Sequence, residues 1–341
     1  MTNCPISKYY QHWNKFFIKM LVTCFSVFLL AIPPSFGFAA ESFDAWQLKI
    51  RAEALSKGIS ADVFDTAFAG VQPIERVIEL DRSQPEFTMT LETYLSKVVS
   101  GTRVKKARKK LIENKNILAD VSQKFGVQPR FIVALWGIET NFGQHTGGFS
   151  VIAALATLAY DGRRSSYFRG ELLNALQIIE EGHISSKKMK GSWAGAMGQS
   201  QFMPSSFLSY AFDYDGDGRR DIWTTRKDVF ASIANYLSSV GWRDDITWGR
   251  EVSVPETLNA KSFSDKKIVR QMSEWQELGV RLTDGSDLPK RNLKSRLVMP
   301  DRGQGRVFVA YGNYDNILKW NRSNFFAIAV GSLADQIRNY E

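Results

Sequence analysis

The sequence predicts a mainly helical α+β protein, and three observations carry that assignment. Apolar residues recur at helical spacing, with capping residues beside them, from Phe43 to about Asn116 and again from Pro129 to Gly143. Between Thr247 and Tyr311 the period drops to two. There Val252 and Val254, then Leu278, Val280 and Leu282, then Val307, Val309 and Tyr311 fall at every second position. Helical spacing then returns, with Trp320 to Phe326 leading into a helix over Ala327 to Arg338. A chain of 341 residues is long enough for two or three packed units. The expected order is a leader over 1–40, an N-terminal helical domain over 41–116 and a core over 117–246. A β-rich insertion over 247–312 follows, and a helix over 313–341 returns to the core.

In the leader, Lys8, Lys15 and Lys19 precede an apolar run from Met20 to Ile32, then Pro33-Pro34 and small residues from Gly37 to Ala40. This is the order of a secretory signal, with cleavage expected after Ala39 or Ala40. The run is shorter than the roughly 17–25 residues of a spanning helix. An export signal is therefore expected, with an uncleaved anchor as the alternative. Both cysteines, Cys4 and Cys24, lie in the leader. Leu21-Val22-Thr23-Cys24 has the outline of a lipoprotein box, but the apolar run continues past Cys24, which argues against lipidation. A mature chain without cysteine excludes thiol nucleophiles, disulfides and cysteine metal sites. With only His145 and His183 left in it, zinc and a Ser-His pair are poorly supported.

The formal charge of +9 suits a polyanionic partner such as an acidic wall polymer. The run Lys105-Lys106-Ala107-Arg108-Lys109-Lys110 reads as a solvated helix face, because no base-reading motif accompanies it. Export also argues against nucleic acid. The first helices break at Gly58-Ile59-Ser60 and at Gly70 to Pro73, with helix starts expected at Ser60-Ala61-Asp62 and at Ser83-Gln84-Pro85-Glu86. A helix over Ile112 to Phe125 is expected to end at Gly126.

Pro129 suits a first turn and Gly143 a C-terminal cap, so that stretch reads as a helix of three to four turns. Phe131, Leu135, Ile138 and Phe142 form one buried stripe, with Ile132 and Trp136 beside it. Glu139 sits among them, and no Lys or Arg three or four residues away can pair with it. A carboxylate in apolar surroundings resists ionising, the condition a general acid needs near neutral pH. Glu139 is thus the candidate acid. The competing expectation is a solvent-facing Glu or a partner from elsewhere in the chain.

Gly143, Gly147 and Gly148 follow without the G-x-G-x-x-G spacing or a preceding strand, which argues against nucleotide binding. Arg163 and Arg164, before Ser165-Ser166-Tyr167, stand at a helix N-terminus, where the macrodipole disfavours cations. An anionic or polyhydroxylated ligand, or exposure to solvent, would account for them. From Gly191 to Pro204, small residues permit close backbone approach, and Ser192 and Gln201 offer neutral hydrogen bonds. Trp193, Met197, Phe202 and Met203 supply flat or soft apolar surface. Neutral donors beside aromatic faces suit a sugar.

The run Asp213-Tyr214-Asp215-Gly216-Asp217-Gly218-Arg219-Arg220-Asp221 follows an EF-hand-like loop. Asp213, Asp215 and Asp217 stand at positions 1, 3 and 5, the Arg219 carbonyl at 7 and Asp221 at 9. Like charges this close repel unless a cation intervenes, and calcium is the ion expected of hard oxygen ligands. Thr224 replaces the usual Glu at position 12, and Asp228 is expected to complete the shell.

Taken together, A-L-W-G-I-E-T-N-F-G, D-G-R-R-S-S-Y, G-S-W-A-G-A-M-G-Q-S-Q-F-M-P-S-S-F, the acidic loop, K-W-N-R-S-N-F-F-A-I-A-V and D-R-S-Q-P-E-F-T resemble the lytic murein transglycosylase B family over nearly all of the chain after the leader. The resemblance implies a lysozyme-like catalytic core and cleavage of the β-1,4 bond between N-acetylmuramic acid and N-acetylglucosamine in peptidoglycan. In that family one Glu, here Glu139, protonates the leaving oxygen and then acts as base on the muramic acid C6 hydroxyl. The product carries a 1,6-anhydro end. The resemblance further implies sugar contacts from Ser192 and Gln201, groove residues in Arg163, Arg164 and Tyr167, and a far wall of Tyr236, Trp320, Asn321 and Phe326. Trp320 and Phe326 stand where that family has Tyr, which takes away a hydroxyl at each place. The expected setting is a periplasmic monomer acting on glycan strands. It has structural calcium and no organic cofactor, and meets the membrane only through its leader or a lipid. A water-using muramidase and a non-catalytic wall-binding scaffold are the alternatives.

Overall fold

Short hydroxyl side chains start many of the helices. Ser42, Ser60, Thr90, Ser100, Ser150 and Ser323 each accept a hydrogen bond from a backbone N–H of the following first turn, satisfying a donor that the helix itself cannot. The computed structural model describes residues 41–83, 89–258, 265–301 and 305–340. The leader with Cys4 and Cys24 lies outside these residues. So does most of the start expected at Ser83-Gln84-Pro85-Glu86. Ser83 itself closes a helix rather than opening one.

The first half is helical: α1 (Phe43–Ser56), α2 (Ala61–Phe68), α3 (Glu75–Arg82), α4 (Leu91–Val98), α5 (Gly101–Glu113), α6 (Lys115–Phe125) and α7 (Pro129–Thr140). The single helix expected over Ile112 to Phe125 is divided at Asn114, whose buried side-chain amide donates to Lys110 O, 2.7 Å away. A short ribbon follows, in which β1 (Phe149–Ser150) pairs antiparallel with β2 (Lys190–Gly191) around α8 (Val151–Tyr160) and α9 (Ser165–Glu180). Next come α10 (Pro204–Tyr210) and α11 (Arg226–Ser239). Among the described residues no helix is long and apolar enough to cross a membrane.

The expected β-rich insertion is a five-stranded antiparallel sheet. Its strands are β3 (Gly249–Ser253), β4 (Arg270–Gln271), β5 (Arg281–Leu282), β6 (Lys294–Val298) and β7 (Val307–Ala310), in the order β4-β6-β7-β3-β5. Leu278 and Val280 are not strand residues; they follow a helix, α12 (Met272–Glu277), and Val280 is buried against it. β7 is buried on both faces. Val307 and Val309 join a small cluster with Met272, Trp275 and Leu297, while Phe308 and Ala310 join the main core. Alternation along one strand thus seals the sheet to the helical body. The chain closes with α13 (Gly312–Trp320) and α14 (Asn324–Ile337).

Candidate active site

Helix α7 is packed by α5, α6, α11 and α14, and everything from Phe131 to Gly137 is buried. A helix apolar on all sides has to be central. Glu139 lies at its last turn and is half-buried. The helix ends at Thr140 rather than running to Gly143, because Asn141 takes a left-handed conformation (φ 50°) and caps it. Phe142 is also left-handed (φ 63°) and turns back over Gly137, its ring 5.4 Å from that of Trp136. The stripe residue Phe142 is therefore buried by a reversal of the chain, not by continued helix. Lys106 Nζ donates to Asn141 O at 3.1 Å, so one lysine of the basic run clamps the end of α7.

An indole faces Glu139. Trp320 Nε1 donates to Glu139 Oε1 at 2.7 Å, joining the end of α13 to the end of α7. Trp320 packs edge-on against Tyr236 of α11, with centroids 4.7 Å apart, and against Phe202 at 5.1 Å. Tyr210 backs Tyr236 at 4.6 Å. Burial pushes the Tyr236 hydroxyl up to about 12, so it stays protonated over any working range. Sequence reasoning anticipated a lost hydroxyl hydrogen bond at position 320; the indole N–H supplies one in its place. Phe326 is buried in the main core at the first turn of α14, and Asn321 is exposed beyond α13.

The loop from Gly191 to Pro204 is fixed to α7 by Gln199, which sequence reasoning did not single out as a site residue. Gln199 Oε1 accepts from Trp136 Nε1 at 2.8 Å, while Nε2 donates to Trp223 O at 2.8 Å. Its backbone carbonyl accepts from Thr140 Oγ1 at 2.9 Å. Gln201, left-handed at φ 50°, donates through Nε2 to Gly198 O (2.9 Å) and Thr146 O (3.1 Å). Ser192 Oγ accepts from Ala196 N (3.0 Å) and Ala194 N (3.3 Å), which makes it the anchor of a turn. Phe202 is buried, and half-buried Met203 caps α10. Gly147 lies so close to the ribbon that an added Cβ would stand 2.0 Å from Gly191 O. The small residues thus serve contact between backbones.

Arg163 and Arg164, still partly exposed, share an internal carboxylate. Asp81, only 2% exposed, takes Arg163 Nη1 at 3.1 Å and pairs with Arg164 Nη2, while its backbone O accepts from Arg163 at 2.8 Å. Asp81 and the arginines are some eighty residues apart in sequence, which is why no local pattern announced the pair. Beyond them Tyr167 is exposed. Glu171, buried one turn further along α9, caps α10 by accepting from Ser205 N (2.9 Å) and Ser205 Oγ (2.7 Å).

In the acidic loop the carboxylates of Asp213, Asp215 and Asp217 lie within 4.8 Å of one another. Asp213 also accepts from Gly216 N (2.7 Å) and Gly218 N (2.9 Å), the side chain of Arg219 lies 3.6 Å from Asp217, and Asp217 accepts from Arg219 N at 2.8 Å. Asp221 is turned away: it accepts from Trp223 N and Thr224 N, both at 2.9 Å, and from the hydroxyls of Thr224 and Thr225. Fully buried Asp228 accepts from Tyr214 N (2.9 Å) and Asp221 N (2.8 Å), tying both arms of the loop to α11. Burial is the main reason its carboxyl is pushed up to about 6, and the charges of Asp215 and Asp213 add to it.

A mainly helical body, with a half-buried carboxylate on its central helix bonded to an indole in a ring cluster, places the protein in the class of lysozyme-like folds. The family model described as Transglycosylase SLT domain matches residues 42–335, and the chain belongs to that family. Membrane-bound lytic murein transglycosylase B of Escherichia coli (strain K12) is 34% identical over 222 residues, or 63% of this chain; the match spans 58% of that relative's length. SltB3 from Pseudomonas aeruginosa, solved with NAG-anhNAM-pentapeptide, superposes with a TM-score of 0.84 at 42% identity, covering 87% of this chain and 80% of that one. Escherichia coli Slt35, solved in complex with calcium, gives 0.74 at 26% identity, covering 86% and 92%.

Proposed function

We propose that the protein cleaves the β-1,4 bond between N-acetylmuramic acid and N-acetylglucosamine of peptidoglycan and leaves a 1,6-anhydro end. The observation that carries this reading is Glu139, a half-buried carboxylate that accepts from Trp320, whose ring packs on Tyr236 and Phe202. The fully buried carboxylates of Asp81, Glu171 and Asp228 are each committed to internal partners, which favours a mechanism run by one carboxylate. Glu139 gives its proton to the glycosidic oxygen as the C1–O bond breaks. It then takes the proton of the muramic C6 hydroxyl as that oxygen bonds to C1. No water is consumed. Phe202, Met203, Tyr236 and Phe326 shape the apolar side of the groove, Ser192, Gln201 and Asn321 its polar contacts, and Tyr167 with Arg163 and Arg164 its far end. The likeness to SltB3, solved with a muropeptide, supports this assignment.

The acidic loop fits a hard cation: Asp213, Asp215, Asp217 and the Arg219 carbonyl would hold it, and Asp228 and Asp221 would hold the loop around it. Bound calcium would neutralise three clustered charges and fix local structure. The setting we infer is the periplasm, reached through the leader, with the protein acting as a monomer on glycan strands. Product analysis of digested sacculi tests the reading: anhydromuramic ends support it, whereas reducing ends mark a water-using muramidase. Changing Glu139→Gln is expected to cut turnover by at least about a thousandfold while glycan binding persists. Wild type that binds sacculi and never cleaves them would mark a scaffold.

A further inference from the structure

The bond between Trp320 and Glu139 has a direction. An indole carries one N–H and no acceptor, so Trp320 Nε1 can only donate, and Glu139 Oε1 at 2.7 Å receives. In a protonated carboxyl group the carbonyl oxygen is the better acceptor and the hydroxyl oxygen the poorer one. An N–H aimed at Oε1 therefore favours the carbonyl there and the proton on Oε2. We propose that Trp320 is a positioning residue that places the acidic proton of Glu139 on Oε2, the oxygen that hands it to the glycosidic bond. This rests on the reading of Glu139 as the proton donor.

The donor has little freedom to leave. Its ring is held by Tyr236 at 4.7 Å and Phe202 at 5.1 Å, and Tyr236 is in turn held by Tyr210 at 4.6 Å. The following residue is bound to the helix by Asn321 N donating to Ile317 O at 3.1 Å. A phenol hydroxyl at this place would rotate, donate and accept, and so leave the carboxyl proton on either oxygen. The Tyr236 hydroxyl shares the ring cluster, but burial keeps it neutral, so it adds no charge change near neutrality. Exposed His145 lies just beyond α7, so the pH profiles are to be compared with His145→Gln added to each variant as well as without it.

Two measurements test the assignment. In Trp320→Phe, which keeps the ring and loses the donor, kcat should fall about tenfold to a hundredfold with KM altered less than about threefold. The basic limb of the pH–kcat/KM profile should also move upward, because the lost N–H favoured the ionised carboxylate. A limb that stays in place overturns the proposal, as does a loss confined to KM. In the second measurement, with tryptophan labelled by nitrogen-15, the Trp320 indole resonance should titrate in wild type and be flat in Glu139→Gln. A flat resonance in wild type overturns it too. Anhydro ends released by wild type in the same assay separate a failure of this inference from a failure of the proposed reaction.

Discussion

The loop from Gly191 to Pro204 and the loop from Asp213 to Asp228 are neighbours in sequence and built from opposite chemistry. The first carries no charged residue, is largely withdrawn from water, and is tied to α7 by the side-chain and backbone oxygens of one residue, Gln199. The second is exposed and acidic, and is tied to α11 by one buried carboxylate, Asp228. They meet at Trp223, whose carbonyl accepts from Gln199 and whose N–H donates to Asp221. The difference teaches where each loop's stability comes from. A neutral amide network is complete as it stands, whereas a cluster of like charges is complete only with a counter-ion.

Gly147→Ala should break the neutral side most severely. The new Cβ would lie 2.0 Å from Gly191 O on a backbone at φ 90°, so the strand ribbon must shift. A loss of about 3 kcal/mol or more is expected in denaturant melts. An unchanged midpoint would mean the ribbon yields freely. Next comes Gln199→Leu, which orphans Trp136 Nε1 and Trp223 O together. Here about 2–3 kcal/mol should be lost. Activity should fall as well, because Thr140, one residue from Glu139, bonds the same residue.

On the charged side, chelation should lower the melting temperature by a few degrees, and calcium at ten times its dissociation constant should restore about 1.4 kcal/mol. Asp213→Asn should remove that response and leave the network around Gln199 in place. Equal melting curves with and without chelator would turn the loop into a plain acidic turn.

The same contrast explains what could be read in advance. Serine caps, the central helix with Glu139 and the acidic spacing are local patterns, and they were legible. The N-terminal helices and the places of β3 and β7 were legible for the same reason, although every residue of β7 is buried. What escaped is non-local or aperiodic. Asp81 finds Arg163 and Arg164 some eighty residues away, Glu171 caps a helix it does not belong to, and Gln199 acts through two tryptophans. Strand β6, Lys294–Val298, is buried at four successive positions and so shows no alternation. The bond from Trp320 to Glu139 depends on which edge of an indole faces inward, and that is set by Tyr236 and Phe202 rather than by spacing.

The smallest expected effect concerns pH and separates the two loops most cleanly. Asp228 titrates at about 6 in the folded chain against an ordinary 3.8, chiefly because it is buried. A group whose folded pKa is raised binds its proton more tightly when folded. Its contribution to stability is therefore full below about pH 4 and is lost as pH rises through 6. In chelator, the melting temperature should decline from pH 4 to pH 7, and Asp228→Asn should remove that part of the slope whatever it costs in absolute stability. Calcium should flatten the slope in wild type, since a nearby cation favours the ionised carboxylate. The loop around Gln199 contains no titrating side chain, so Gln199→Leu should shift the whole curve down without changing its slope. If that variant instead alters the slope, the two loops are coupled through Trp223 more tightly than their separate hydrogen bonds imply.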